Sequence, residues 1–161
     1  MDLVNVSDNY FTQRQHQFIL TYCENCSYKY GEVDNAETPP TGLIHEIPPT
    51  EEIYPLIERR IEQSMGPDAS KYTLYRMYIN CFAPSERPYF HRDGDTGITF
   101  LYYVNGTDDL NEGGETQIVE NGSIKGILPI SNRLVQFNAN VLHRATTYRN
   151  SHRFTLAVKY S

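Results

Sequence analysis

The tripeptide His91-Arg92-Asp93 places an imidazole and a carboxylate two residues apart. In extended backbone, alternate side chains leave the same side of the strand, so these two groups can converge on one point. His143, far along the chain beside a strand pattern, is the candidate third member. Two imidazoles and one carboxylate on one face of a metal form the set that holds non-haem Fe(II). Such a set leaves coordination positions open, enough for a bidentate cosubstrate and dioxygen. Arg153 and Thr155 follow on the polar side of another strand pattern. A guanidinium there can grip a carboxylate through two parallel hydrogen bonds, and the threonine hydroxyl can add another from the same face. A surface ion pair explains Arg153 less well, because residues 121–161 carry six basic side chains and no acidic one.

These groups need strands to hold them. Over 152–160, Phe154, Leu156, Val158 and Tyr160 alternate with Arg153, Thr155, Ala157 and Lys159. Over 97–105, Ile98, Phe100, Tyr102 and Val104 share one face, with Thr99, Leu101 and Tyr103 on the other. In each strand one face suits packing on helices or a second sheet, and the other can line an interior cavity. A β-rich run over 72–80 precedes them, and short strand patterns fall near 115–120, 124–128, 133–138 and 142–147, separated by turn signals such as Asn105-Gly106 and Asn121-Gly122.

Two helices come first. Asp8 is the expected cap of one that runs to about Tyr22 with Phe11, Phe18 and Ile19 among its apolar residues. Thr50-Glu51-Glu52 opens the other, in which Ile53, Leu56, Ile57 and Ile61 keep helical spacing until Gly66-Pro67 stops it. Between them, residues 31–49 read as a connection broken by Pro39-Pro40 and Pro48-Pro49. The fold class is therefore mostly β with flanking helices (α+β), an antiparallel sandwich or barrel with helices packed outside.

The length of 161 residues suits one domain, 1–161, and 39% hydrophobic with 21% charged residues describes a globular chain. No apolar run approaches the ~20 residues that cross a bilayer, and the amino-terminal residues show neither a basic nor an apolar segment. The expectation is a soluble, cytoplasmic protein with no membrane partner. A net charge of −6 disfavours nucleic acid, whereas the basic stretch 121–161 suits a small carboxylate or phosphate ligand. Cys23, Cys26 and Cys81 make no disulfide framework, and the Cys23–Cys26 pair lacks a second pair of zinc ligands. His16, His45 and His152 have no partners at ligand spacing.

Several further segments join the same pattern. Arg76-Met77-Tyr78 precedes the His-x-Asp, Leu101-Tyr102-Tyr103-Val104-Asn105 forms a strand, Gly113-Gly114-Glu115-Thr116 follows, and Asn132–Phe137 leads toward His143. With His91-Arg92-Asp93, His143 and Arg153-Phe154-Thr155, residues 72–160 resemble the Fe(II)- and 2-oxoglutarate-dependent dioxygenases, in their prolyl 4-hydroxylase-like branch. The resemblance implies a double-stranded β-helix (jelly roll), with residues 1–70 as helical support packed on one sheet and 71–161 as the catalytic core. It implies that His91, Asp93 and His143 ligate Fe(II) and that Arg153 grips the far carboxylate of 2-oxoglutarate. Tyr103 would join that grip, with Tyr78, Thr155 and Thr99 completing the cosubstrate-binding set. Arginine at 153, where collagen-type enzymes place lysine, is closer to oxygen-sensing and bacterial prolyl hydroxylases. The implied activity consumes dioxygen and 2-oxoglutarate, with ascorbate as a stimulant, to hydroxylate a prolyl residue of a peptide or protein. A free amino acid or other small molecule is the alternative substrate. A non-catalytic jelly-roll binding module is the alternative from a different class, opposed by the intact ligand set together with Arg153.

Overall fold

The computed structural model describes residues 3–33 and 36–161. Its elements are β1 (Val4–Ser7), α1 (Gln13–Asn25), β2 (Lys29–Glu32), β3 (Thr41–Glu46), α2 (Ile53–Met65), a 3-10 turn (Gly66–Lys71), β4 (Leu74–Phe82), β5 (Ile98–Tyr103), β6 (Thr116–Glu120), β7 (Ser123–Ile127), β8 (Arg133–Asn138), β9 (His143–Ala145) and β10 (Arg153–Tyr160). The strands form a seven-stranded antiparallel sheet, ordered β1-β8-β5-β10-β4-β3-β2, which faces a three-stranded sheet ordered β7-β6-β9. This is the jelly roll expected from the sequence.

Alternation along three central strands decides what lies on each side of the large sheet. Met77 and Ile79 of β4, Ile98, Phe100 and Tyr102 of β5, and Leu156, Val158 and Tyr160 of β10 bury against the helices. α2 meets them with Ile53, Ile57 and Ile61, spaced at one helical turn and all within 1% of full burial. Each such isoleucine contributes roughly 1.5–3 kcal/mol by leaving water. α1 contributes Ile19 and Cys23 from one face. On the other side of the sheet, Tyr103, Val135 and Phe137 pack with Ile118 of the small sheet and Val141. The cavity described below lies on this inter-sheet side.

The helices begin later than the sequence suggests. Thr12, not Asp8, caps α1 through a reciprocal pair: Gln15 N donates to Thr12 Oγ1 at 3.2 Å and Thr12 N donates to Gln15 Oε1 at 3.0 Å. Asp8 instead pairs with Arg133, whose Nε lies 2.6 Å from its carboxylate. α2 starts at Ile53 rather than at a Thr50 cap, and Glu52 precedes it without a side-chain cap. Gly66, at φ 60°, ends that helix where an L side chain would be strained. Residues 1–70 also supply more than helices. They add β1 to one edge of the large sheet, and β3 and β2 to the other through pairing of β3 with β4. Pairing with a formed sheet overrides the poor strand propensity of this Pro- and Gly-bearing stretch.

Candidate active site

A pair of backbone hydrogen bonds brings the sequence-distant histidines together. His91 N donates to His143 O at 2.9 Å and His143 N donates to His91 O at 3.0 Å, an isolated antiparallel bridge at the end of the small sheet. Both imidazoles leave this bridge on the same side, with ring centroids 4.4 Å apart. Asp93, two residues on, is pinned by its own N–H to Ala139 O at 2.9 Å. Its Oδ1 lies 3.6 Å from His91 Nε2 and its Oδ2 lies 3.8 Å from His143 Nε2. One ligand atom from each of the three residues falls within 4.8 Å of the others. They are the only group of three such residues among those described.

The surroundings prepare this group for a divalent cation. His143 Nδ1 bonds to Val141 O at 2.9 Å and His91 Nδ1 bonds to Tyr89 O at 3.0 Å. Each bond fixes the ring proton on Nδ1 and turns the Nε2 lone pair toward Asp93, the outer-shell device typical of metal-ligating histidines. Burial pushes the His143 pKa down to about 4, against the opposing pull of Asp93, so the ring is neutral and able to ligate near neutral pH. Burial alone would raise the Asp93 pKa. The Lys159 ammonium, bonded to its Oδ1, outweighs that and holds the carboxyl below the usual carboxylate range. Two imidazoles that each turn Nε2 inward and one carboxylate, with a cavity beside them, fit the facial ligand set of Fe(II).

The low His143 pKa has a consequence for folding. An unfolded imidazole titrates at 6.5. Between that value and about 4 the unfolded chain therefore takes up a proton that the folded chain refuses. Stability of the metal-free protein should thus fall as the pH drops through this window, by up to about 3 kcal/mol from this residue. Urea titrations at several pH values should show the slope in the wild type and a flatter one in His143→Gln.

The triad opens into a cavity whose free space, counted out to the solvent at its mouth, is about 470 Å³. Inward residues of β10 (Arg153, Thr155, Ala157), β4 (Tyr78, Asn80, Phe82) and β5 (Thr99, Leu101) line it, with Thr116, Phe137 and Pro88. Arg153 is 1% exposed. Its Nε donates to Gly114 O at 2.8 Å, its Nη2 to Thr116 Oγ1 at 3.1 Å and its Nη1 to Thr155 Oγ1 at 3.4 Å. Among the described residues no carboxylate reaches this guanidinium. Three of the five other cations of the basic stretch are matched by acids from elsewhere: Arg133 by Asp8, Lys125 by Glu120 and Lys159 by Asp93. A buried cation without a counter-charge is costly, and here it faces a cavity. The Asn80 amide oxygen, in the same wall, is buried without a hydrogen-bond partner. The unpaired guanidinium describes a site that an anionic ligand would complete, whereas the Asn80 oxygen calls for a donor.

Gly114 supports the arginine. At φ 84° it occupies backbone space open to glycine, and a Cβ there would lie 2.0 Å from the Tyr148 ring. The carbonyl it presents is the one that holds Arg153 Nε.

The remaining expected residues divide between the two ends of the cavity. Thr155 lies with Arg153. The Tyr103 hydroxyl lies 2.5 Å from Thr116 Oγ1, accepts from Thr116 N at 3.1 Å and donates to Ile127 O at 3.2 Å. It meets Arg153 through the shared Thr116 hydroxyl, with the guanidinium 5.2 Å from its ring centroid. Thr99 sits at the other end, donating to Asp93 Oδ2 at 2.5 Å. Tyr78 lines the wall with the Arg76 guanidinium 3.9 Å from its ring centroid. Sequence reasoning passed over Lys159, although it lies on the inward row that holds Arg153 and Thr155. It also passed over Asn80 and Thr116. The cysteine pair lies elsewhere, with Cys23 in the helix-side core. His16 and His45 are engaged in ordinary hydrogen bonds.

Comparison with known proteins bears on the family of the chain. Residues 75–160 match the family profile described as the 2OG-Fe(II) oxygenase superfamily, while no curated protein matches the chain in sequence. A prolyl-4-hydroxylase from Pseudomonas putida superposes with a TM-score of 0.77 at 14% identity, over 98% of this chain and 91% of that one. A Trichoplax adhaerens prolyl hydroxylase, solved with a hypoxia inducible factor peptide fragment, gives 0.78 at 16% identity over 99% and 84%. HygX from Streptomyces hygroscopicus, solved with nickel, 2-oxoglutarate and hygromycin B, gives 0.77 at 11% identity over 99% and 82%. At these identities the likeness is one of fold, but the profile match spans more than half the chain and contains all three candidate ligands and Arg153: the protein belongs to the 2OG-Fe(II) oxygenase superfamily.

Proposed function

We propose that this oxygenase hydroxylates a C–H bond of a prolyl residue in a peptide or protein, using Fe(II), 2-oxoglutarate and dioxygen. The observation that carries the cosubstrate assignment is Arg153, a buried guanidinium with no carboxylate partner, facing the same cavity as the His91, Asp93 and His143 cluster. His91, Asp93 and His143 would hold the metal. Arg153 would grip the distal carboxylate of 2-oxoglutarate, with Thr155 beside it and Tyr103 setting the Thr116 hydroxyl that faces the guanidinium. When bound, Fe(II) and 2-oxoglutarate together supply the oxidising chemistry that places one oxygen atom of dioxygen into a C–H bond and the other into succinate, with loss of carbon dioxide. The protein contributes orientation and dryness: Phe137, Leu101 and Phe82 wall the cavity, and Pro88 stands where the cavity meets the surface loop over 83–90. Ascorbate would act as an external reductant, outside these contacts.

The prolyl peptide assignment draws on the fold shared with the two prolyl hydroxylases, one of them solved with a peptide. A small-molecule substrate is the second reading, favoured by the equally close fold of HygX with its hygromycin B. Incubation with Fe(II), 2-oxoglutarate and ascorbate, followed by mass spectrometry, separates them. Proline-bearing peptides are expected to gain one oxygen atom with stoichiometric succinate. Oxygen gain on free amino acids or aminoglycosides, and on no peptide, would favour the second reading. No helix of the described residues is long and apolar enough to cross a membrane. Three free cysteines suit a reducing, cytoplasmic setting.

A further inference from the structure

Strand β10 carries a second inward cation that the proposed reaction does not use. Lys159 is 4% exposed, and its Nζ donates to Asp93 Oδ1 at 2.8 Å. Its ammonium lies 5.2 Å from the centre of the Tyr78 ring. Thr99, its partner across the β5–β10 ladder, holds the other carboxylate oxygen, Oδ2, at 2.5 Å. The carboxylate of the candidate ligand set is therefore already balanced by a fixed ammonium buried beside it. Orientation of Asp93 does not need that ammonium, since the Asp93 N–H to Ala139 O bond and the Thr99 hydroxyl hold the residue from two other directions. What Lys159 adds is charge. A buried carboxylate left without any cation is strongly destabilising, and the same positive charge repels a divalent ion brought to that carboxylate.

We propose that Lys159 is a resident counter-ion of Asp93, which keeps the metal-free site folded and weakens the affinity of that site for a divalent cation alone. The inference rests on the reading of His91, Asp93 and His143 as a metal centre. Because an anionic chelator offsets the added positive charge, metal and 2-oxoglutarate should each strengthen binding of the other.

Mn(II) binding to the metal-free protein, followed by electron paramagnetic resonance without 2-oxoglutarate, tests the proposal without turnover. Lys159→Met should bind Mn(II) about tenfold tighter than wild type or better, whereas Lys159→Arg, which keeps the charge, should stay within about threefold. In thermal unfolding, metal-free Lys159→Met should melt below wild type and gain more from saturating Mn(II). The double variant Asp93→Asn/Lys159→Met, which leaves no charge behind, should recover the metal-free melting temperature while binding no Mn(II). If Lys159→Met does not hold its fold without metal, Lys159→Gln carries the same comparison. Mn(II) affinity in Lys159→Met equal to or weaker than wild type would overturn the proposal. If wild type and His143→Ala bind Mn(II) alike, the metal-centre reading fails and the counter-ion role falls with it. Binding that His143→Ala abolishes and Lys159→Met leaves unchanged sinks only the role of Lys159.

Discussion

Arg153→Met is expected to raise the 2-oxoglutarate concentration for half-maximal succinate production by roughly 30-fold to several thousandfold. The range follows from the ~2–5 kcal/mol lost when one partner of a buried, hydrogen-bonded charge pair is removed. Among the described residues, Arg153 hydrogen-bonds only to neutral oxygens, on Gly114, Thr116 and Thr155, and its guanidinium also stands by the Tyr103 ring. Its charge meets no counter-charge in the ligand-free protein, so deleting it should strike the cosubstrate harder than the fold. Two measurements separate that from a structural defect. 2-Oxoglutarate with Mn(II) should raise the melting temperature of wild type but not of the variant, and Mn(II) alone should bind both. Unaltered saturation by 2-oxoglutarate would show that Arg153 does not hold it.

His143→Ala is expected to abolish metal binding and succinate production together. The fold should survive, because the bridge to His91 and the ladder to β6 use the backbone of His143 rather than its ring. The ring itself packs against Phe137 at 4.6 Å between centroids, so some stability is lost, within the ~1–3 kcal/mol usual for a buried side chain of this size. Mn(II) resonance checks the binding and circular dichroism the fold. Succinate output at the wild-type level would exclude His143 from the ligand set.

What could be read from the chain beforehand was whatever strand alternation controls. The row Arg153, Thr155, Ala157, Lys159 was visible because the opposite row is uniformly apolar, and the same argument placed Thr99 and Tyr103 inward. Spacing alone could not say which inward residue meets which. Lys159 shared the correct row, yet its partner Asp93 lies on a segment pinned in place by Ala139, and nothing local signals that meeting. Thr99 lines the cavity as expected, but its bond to Asp93 was hidden for the same reason. Asp8 looked like a helix cap because a carboxylate before an amphipathic run often is one. Its actual partner, Arg133, is joined to it only by the pairing of β1 with β8. The strands β2 and β3 escaped notice because their glycines and flanking prolines argue against extended pairing, until β4 offers an edge to complete.

The position of β10 in the large sheet ties the closure of the fold to its interior. β4 and β5 do not pair with each other, and β10 fills the gap between them with a ladder on each side. Before that insertion the nascent sheet has two raw edges facing each other, an invitation to self-association. The strand that heals those edges is the same one that delivers the guanidinium and the ammonium to the interior. Closure of the large sheet and delivery of both cations to its inner face therefore depend on one and the same strand.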